Sequence, residues 1–261
     1  MSRARLNKKD HNTPLPFISL EEAAAMKKGV RLHVVRGQYG IVAVWIQELL
    51  NLRGVDVLYV NHDSGKYEEI FRLTSQTSLP VLWVDDERPY SAFLEQVFRI
   101  NRLGSGPSLI PTSSADRVLM FGLMNEIQGE DGLTWNARNF KFPGTAFGTK
   151  YGWSEEAVTR APSRMIEIMG ILHAQLEAQK AAGSRFFIGN SLTALDVHWA
   201  VSSNSIVPGG VNIMQQTERA VGLMAMFANA QTPELDAAFT PLLREHREFI
   251  YNEFLGPTQL E

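Results

Sequence analysis

The run Thr77-Ser78-Leu79-Pro80-Val81-Leu82-Trp83 places a proline at the first residue of an apolar stretch. A strand tolerates a proline there because that position has no ladder hydrogen bond to lose. If the Leu79–Pro80 bond is cis, the Leu79 main chain turns outward, and its N–H and C=O can pair with an extended peptide ligand. A trans bond is the alternative that base rates favour, since only about 5–6% of X–Pro bonds in folded proteins are cis. The run is therefore a candidate peptide-binding edge.

A second run, residues 189–200, indicates the start of a buried helix. Thr193 and Asp196 have the T-x-x-D spacing of a capping box, and the residues after them are mostly apolar. His198 lies on this helix, where a histidine is more often part of the core than a catalyst. The run therefore predicts structure rather than chemistry.

Other catalytic patterns are absent from the sequence. It contains no G-x-x-x-x-G-K-[ST], G-x-G-x-x-G, H-E-x-x-H or G-x-S-x-G motif, and none of its 6 histidines has a partner at convincing metal-ligand spacing. The absence of cysteine excludes disulfides, Fe–S clusters, thiolate zinc sites and a cysteine nucleophile of the protein's own. We therefore expect no metal.

Composition narrows the possible partners and location. The 261 residues include 25 Lys+Arg and 28 Asp+Glu, and the resulting net charge of −3 argues against nucleic acid as a partner. No segment approaches the ~18–20 apolar residues that a membrane span requires, so no membrane is expected. The polar, basic N-terminus lacks the apolar region of a secretory signal. These features predict a cytoplasmic protein.

The pattern of elements divides the chain into three regions. Residues 1–30 form an N-terminal arm with a basic tail and a Ser19–Glu22 capping box that opens a helix ending at Gly29. Residues 31–104 alternate strands and helices around a β-α-β unit, and residues 105–261 have only helical periodicity. The predicted strands are 31–36, 55–60 and 80–85, and the predicted helices are 20–28, 41–53, 64–74, 91–103, 113–127, 155–180, 193–201 and 233–254.

The order of these motifs resembles that of the cytosolic glutathione transferase superfamily. Residues 187–196 are close to its helix-capping motif, Leu79-Pro80-Val81-Leu82 lies where its cis-proline motif belongs, and residues 109–117 resemble the opening of its helical domain. The resemblance covers about residues 31–250. It implies an α/β N-terminal thioredoxin-like domain, residues 31–104, and an all-α C-terminal helical bundle, residues 105–261. It also implies a homodimer.

The resemblance further implies where glutathione binds. The main chain of Leu79, beside Pro80, would pair with the cysteinyl part of the tripeptide. The family's acidic-serine pair, which holds the γ-glutamyl group, falls here on Ser91-Ala92, without a carboxylate. Glu95 and Gln96 lie one turn later and are the alternative, although they would also suit an ordinary helix start.

In this family a hydroxyl or thiol after the first strand activates the glutathione thiol. The corresponding turn here is Arg36-Gly-Gln-Tyr-Gly40, and Tyr39 has its only side-chain hydroxyl. A phenol that donates a hydrogen bond to a thiolate lowers the pKa of the thiol. Gln38 and Arg36 are further donors. The alternative is that Tyr39 only packs and that the turn has lost catalysis.

A pocket for the second substrate would lie between this turn and the helical domain. Its candidate residues mix aromatic and amide groups, which suits a planar apolar molecule with one polar group. They are Trp135, Asn136, Arg138, Asn139 and Phe142. The glycine-rich loop 141–152 is either a lid over this pocket or an ordinary surface loop.

The sequence thus predicts an enzyme that binds glutathione and transfers its thiolate to a small hydrophobic electrophile. Ether cleavage, dehalogenation and isomerisation use the same thiolate and are alternatives within this class. The absence of the acidic-serine pair favours another hypothesis, a non-catalytic binding protein that has kept the fold.

Overall fold

The computed structural model describes residues 14–76, 78–209 and 213–261. Most of the predicted basic tail, and Thr77 of the proline-containing run, lie outside these ranges. By packing, the chain separates into two units. The first, called the α/β unit below, contains residues 14–109, 213–220 and 254–261, and the second, the helical unit, contains residues 110–209 and 221–253.

A mixed four-stranded sheet forms the centre of the α/β unit. Its strand order is β1-β3-β2-β4, with β1 parallel to β3, β3 parallel to β2, and β4 antiparallel to β2. The strands are Phe17–Ile18 (β1), Val30–Val34 (β2), Val57–Asn61 (β3) and Val81–Val84 (β4). The three predicted strands are confirmed, and β1 adds a short edge strand that the sequence pattern did not indicate.

The helices of the α/β unit follow the predicted order. They are Leu20–Ala25 (α1), Ile41–Leu52 (α2), Tyr67–Thr74 (α3) and Phe93–Leu103 (α4). The predicted capping box is present, with Glu22 N donating to Ser19 Oγ at 3.0 Å and Ser19 N donating to Glu22 Oε2 at 2.7 Å. Helix α1 ends three residues before the predicted Lys28, because Met26 is extended and its carbonyl accepts a hydrogen bond from Arg31 Nη1.

The helical unit contains most of the remaining helices, and no strand occurs among its described residues. The three helices predicted from residue 113 to residue 201 are confirmed to within one residue, whereas the helices Leu133–Lys141, Ala146–Lys150 and Glu218–Asn229 were not predicted. The helices after α4 are Ser114–Gln128 (α5), Leu133–Lys141 (α6), Ala146–Lys150 (α7), Glu155–Ala181 (α8), Ala194–Ser202 (α9), Glu218–Asn229 (α10), Pro233–Ala238 (α11) and Pro241–Ile250 (α12).

The single helix predicted over 233–254 is instead two helices. Helix α11 ends at Ala238, and Thr240 caps α12, with its Oγ1 accepting from Leu243 N. Pro241 explains the break, because proline suits the first position of a helix and drives the preceding residue into an extended conformation.

The capping box of α9 is confirmed, and its acidic residue, Asp196, accepts several buried hydrogen bonds in the helical unit. Asp196 has no exposed surface and accepts hydrogen bonds from Thr193 N (2.8 Å), Thr193 Oγ1 (2.7 Å) and Phe187 N (2.8 Å). His246 Nε2 lies 3.0 Å from Asp196 Oδ1. Burial lowers the pKa of His198 to about 3, so its imidazole is neutral near pH 7, as expected for a core histidine.

Within the described residues, none of the helices is both long and apolar enough to span a membrane.

Candidate functional site

The Leu79–Pro80 peptide bond is cis, which confirms the condition set by the sequence. Leu79 is half-buried and immediately precedes Pro80 and the edge strand β4. Among the described residues, the N–H and C=O of Leu79 make no hydrogen bond. An unpaired main-chain donor and acceptor beside a sheet edge are the groups that an extended peptide can bind.

Gln96 ties helix α4 to the residues around this edge. Its side chain is fully buried, and Nε2 donates to Pro80 O at 2.9 Å and to Tyr90 O at 2.8 Å. Its Oε1 is buried and has no partner among the described residues. Its donor group therefore holds the main chain in place, and only the oxygen is left as an acceptor.

Ser91 and Gln76 form a polar pair in the same unit. The Ser91 hydroxyl is hydrogen-bonded to Gln76 Oε1, and Gln76 Nε2 donates to Pro89 O at 3.4 Å. Both residues are half-buried, and Gln76 lies three residues before Leu79. Glu95 is exposed, and its carboxylate lies 3.7 Å from Arg88 Nη2. Sequence reasoning missed Gln76, although its position in the loop before Pro80 was a usable signal.

The turn from Arg36 to Gly40 is covered by chain that is distant in sequence. Gly37 has φ +73°, its N–H donates to Leu260 O at 2.9 Å, and its carbonyl accepts from the Thr217 hydroxyl. Tyr39 has no exposed surface, and Gln38 is half-buried. The candidate activating phenol is therefore buried.

Two of the predicted pocket residues on and after α6 are engaged in packing. Asn136 Nδ2 donates to Asp131 O at 2.9 Å and to Gly132 O at 3.0 Å, which fixes the loop before the helix. Phe142 is buried, and its ring centroid lies 5.4 Å from that of Phe227.

The other α6 residues form a different cluster. Arg138 is 7% exposed, and its guanidinium carbon lies 4.6 Å from the centroid of the Tyr151 ring. Trp135 is half-buried and meets the same ring edge-on at 5.1 Å. Asn139 is also buried, and its Oδ1 has no partner among the described residues. The sequence reasoning missed Tyr151, which follows α7 in the loop predicted as a lid or a surface loop.

The side-chain arrangement does not indicate a metal centre. Within the described ranges, no group of three or more His, Cys, Asp or Glu side chains lies close enough to hold a metal ion.

Comparison with known proteins gives similarity at the level of structure. No protein-family model and no curated protein matches the chain. A solved glutathione S-transferase domain-containing protein from Marinobacter aquaeolei VT8 is similar at 17% identity and a TM-score of 0.60, over 85% of this chain and 97% of that one. A glutathione S-transferase from Xanthobacter autotrophicus Py2 is similar at 15% identity and a TM-score of 0.56, over 85% and 92%.

A third solved structure, Ure2p in complex with glutathione, is similar at 14% identity and a TM-score of 0.56, over 85% of this chain and 94% of that one. These likenesses agree with the mixed sheet of the α/β unit and with the all-helical second unit. The resemblance found in the sequence is therefore confirmed at the level of architecture: the chain has the glutathione transferase fold, with a thioredoxin-like α/β unit and an all-helical unit.

Proposed function

We propose that this protein binds glutathione at Leu79 and transfers its thiolate to a small hydrophobic electrophile. The observation that carries the proposal is that the N–H and C=O of Leu79, at the edge of a thioredoxin-like sheet, make no hydrogen bond within residues 14–76, 78–209 and 213–261. These groups are complementary to the main chain of a cysteinyl residue. A structurally similar protein, Ure2p, has been solved in complex with glutathione.

The γ-glutamyl group is assigned to the polar pair of Ser91 and Gln76. A hydroxyl and an amide can bind both the ammonium and the carboxylate of this group. Gln96 holds Pro80 and Tyr90 in position, and its buried Oε1 is a further acceptor at this edge. Glu95 would supply the negative charge if its side chain left Arg88.

In the proposed reaction the glutathione thiol loses its proton to solvent, and the thiolate sulfur forms a bond to the electrophilic carbon. The leaving group departs with the electron pair of the bond that breaks. We assign Tyr39, with Gln38 beside it, to stabilising the thiolate, because a donated hydrogen bond favours the charged sulfur. The α6 residues Trp135, Arg138 and Asn139 are assigned to the second substrate. Such an enzyme would work in the cytoplasm as a homodimer.

A second candidate function is glutathione binding without turnover. The burial of Tyr39, and the hydrogen bonds that already occupy Gly37, favour it. In this case the turn after β2 would serve only the packing of the α/β unit.

Titration calorimetry with glutathione tests the binding step. We expect Ser91→Ala to weaken binding about tenfold, since a lost hydrogen bond to a charged group is worth about 1.5 kcal/mol or more. Ser105→Ala, at an exposed serine of the same unit, should leave the affinity unchanged. The cysteinylglycine dipeptide, which lacks the γ-glutamyl group, should bind the wild type and Ser91→Ala equally. If the wild type does not bind glutathione, both candidate functions are wrong.

Conjugation of 1-chloro-2,4-dinitrobenzene then separates the two candidates. The transferase predicts turnover that falls about 10- to 100-fold in Tyr39→Phe, which removes one hydrogen bond to the thiolate. Glutathione binding without conjugation, and unchanged in Tyr39→Phe, would instead establish the binding protein.

A further inference from the structure

The guanidinium of Arg138 is buried without a counter-ion. Within the described residues its one hydrogen bond runs from Nη1 to Thr134 Oγ1 at 3.3 Å, and no carboxylate lies within ion-pair distance. Burial lowers the pKa of the Arg138 guanidinium, although the nearby Tyr151 opposes this effect. An arginine stays protonated even so, and within the described residues Thr134 Oγ1 is the one hydrogen-bond acceptor that its five N–H donors reach.

Two other buried cations of this protein, Lys141 and Arg31, each donate to two main-chain carbonyls. The Lys141 ammonium, three residues further along α6, donates to Ile206 O at 2.9 Å and to Phe227 O at 2.7 Å. Arg31 likewise donates to two carbonyls, at 3.0 and 2.6 Å. The fold therefore supplies carbonyl acceptors to these two cations, whereas Arg138 has one hydroxyl acceptor and the ring of Tyr151 within the described residues.

A buried charge without a partner destabilises the protein unless something else compensates it. Such a cost is typical of a group that is kept for binding. The guanidinium presents parallel N–H donors that match the two oxygens of a carboxylate. The structure thus provides the cationic half of a bidentate pair and leaves the anionic half to a ligand.

The surroundings of Arg138 indicate what else the ligand carries. The rings of Tyr151 and Trp135 are perpendicular to one another, and both residues are only half-buried. On helix α6, Trp135 is one turn before both Arg138 and Asn139, so the three side chains are neighbours. Flat aromatic faces favour a planar ligand. The unpaired Asn139 Oδ1 is an acceptor for a hydroxyl or amine.

We propose that Arg138, Trp135 and Tyr151 bind a planar organic acid, with its carboxylate on the guanidinium and its ring against the aromatic side chains. The inference rests on the proposed function in one respect, that the acid is the second substrate of the transferase. The binding itself requires only residues of the helical unit, so it is measurable without glutathione.

Calorimetry with 2-naphthoate and its neutral analogue 2-naphthamide tests the site. We expect the wild type to bind the acid at least tenfold more tightly than the amide. Arg138→Gln should lose this difference and bind both alike. The control Arg160→Gln, at an exposed arginine of the same unit that pairs with Asp131, should keep it. Equal affinity of the wild type for the two compounds, or an unchanged preference in Arg138→Gln, would overturn the proposal.

Thermal unfolding gives a second readout. Arg138→Met removes the unpaired charge and keeps a long side chain, so its Tm without ligand should equal or exceed that of the wild type. Naphthoate should raise the Tm of the wild type and not that of Arg138→Met. A lower Tm for Arg138→Met would identify the guanidinium as a structural group and contradict the proposal. If glutathione binds and naphthoate does not, this inference alone is wrong.

Discussion

Asp196→Ala is expected to lower the free energy of unfolding by about 4 kcal/mol, because it leaves several buried donors without an acceptor. The Asp196 carboxylate accepts from two main-chain N–H groups and from the Thr193 hydroxyl, and it lies 3.0 Å from His246 Nε2. The two main-chain donors fix the residues before α9 and the start of the helix itself. Removing the carboxylate therefore loosens both at once, and urea unfolding at constant pH measures the effect.

Asp116→Ala is the matched control for this experiment. Asp116 occupies the same third position in its helix, α5, but its side chain is half-buried and makes no side-chain hydrogen bond among the described residues. We expect a cost below about 1 kcal/mol, because the remaining contribution of this carboxylate is its interaction with the helix N-terminus. Equal destabilisation by the two substitutions would show that helix capping, rather than the buried network, accounts for the effect of Asp196.

The parts of the fold that the sequence predicted correctly have local signals. The capping boxes at Ser19 and Thr193 involve residues three positions apart, and the strands β2, β3 and β4 are short apolar runs bounded by turns. Strand β1 has two residues, too few for any periodicity, and it exists because it pairs with β3. Pro241 is itself a signal for the break between α11 and α12. The sequence prediction nevertheless joined the two helices, because apolar residues continue at helical spacing on both sides of the proline.

Helix α6 was missed because its polar residues are buried. Asn136, Arg138, Asn139 and Lys141 are all buried, whereas a sequence prediction assigns the polar face of a helix to solvent. The stabilising contacts of Lys141 are with carbonyls more than 60 residues away along the chain. A sequence pattern does not contain such contacts.

The candidate site was predictable only in part, because some of its contacts join residues that are far apart in the sequence. The cis bond before Pro80 follows a recognisable motif, and Ser91 was chosen from its spacing. In contrast, the covering of the turn around Gly37 depends on Thr217 and Leu260, which lie 180 residues or more further along the chain. The covering of this turn therefore had no local signal in the sequence.

Segment 254–261 also creates a buried acid in the α/β unit. Glu48 lies on α2, and its Oε1 accepts a hydrogen bond from the Thr258 hydroxyl at 2.8 Å. Burial raises the pKa of Glu48 to about 7, although this hydrogen bond and a weaker one from Asn51 oppose the increase. In the unfolded chain the carboxyl has its ordinary pKa of 4.5.

The sign of the pH dependence follows from this difference. Between pH 4.5 and about 7 the folded protein holds a proton on Glu48 that the unfolded chain has lost. The stabilisation from Glu48 is thus complete below pH 4.5 and is lost as the pH rises through about 7. Each tenfold change in the ionisation constant corresponds to about 1.4 kcal/mol, so the whole loss is about 3 kcal/mol.

Glu48→Gln should remove this dependence, because an amide keeps an oxygen for the Thr258 hydroxyl and carries no charge at any pH. Relative to the wild type, we expect the variant to be more stable by about 3 kcal/mol above pH 8, and by a much smaller amount near pH 4. Urea unfolding at several pH values measures both curves. Glu68→Gln, at an exposed glutamate on α3, should follow the wild-type curve. The expected difference between the two stability curves arises because folded wild type keeps a proton on buried Glu48. If the curves of Glu48→Gln and the wild type are instead parallel, Glu48 is ionised in the folded protein and the prediction is wrong.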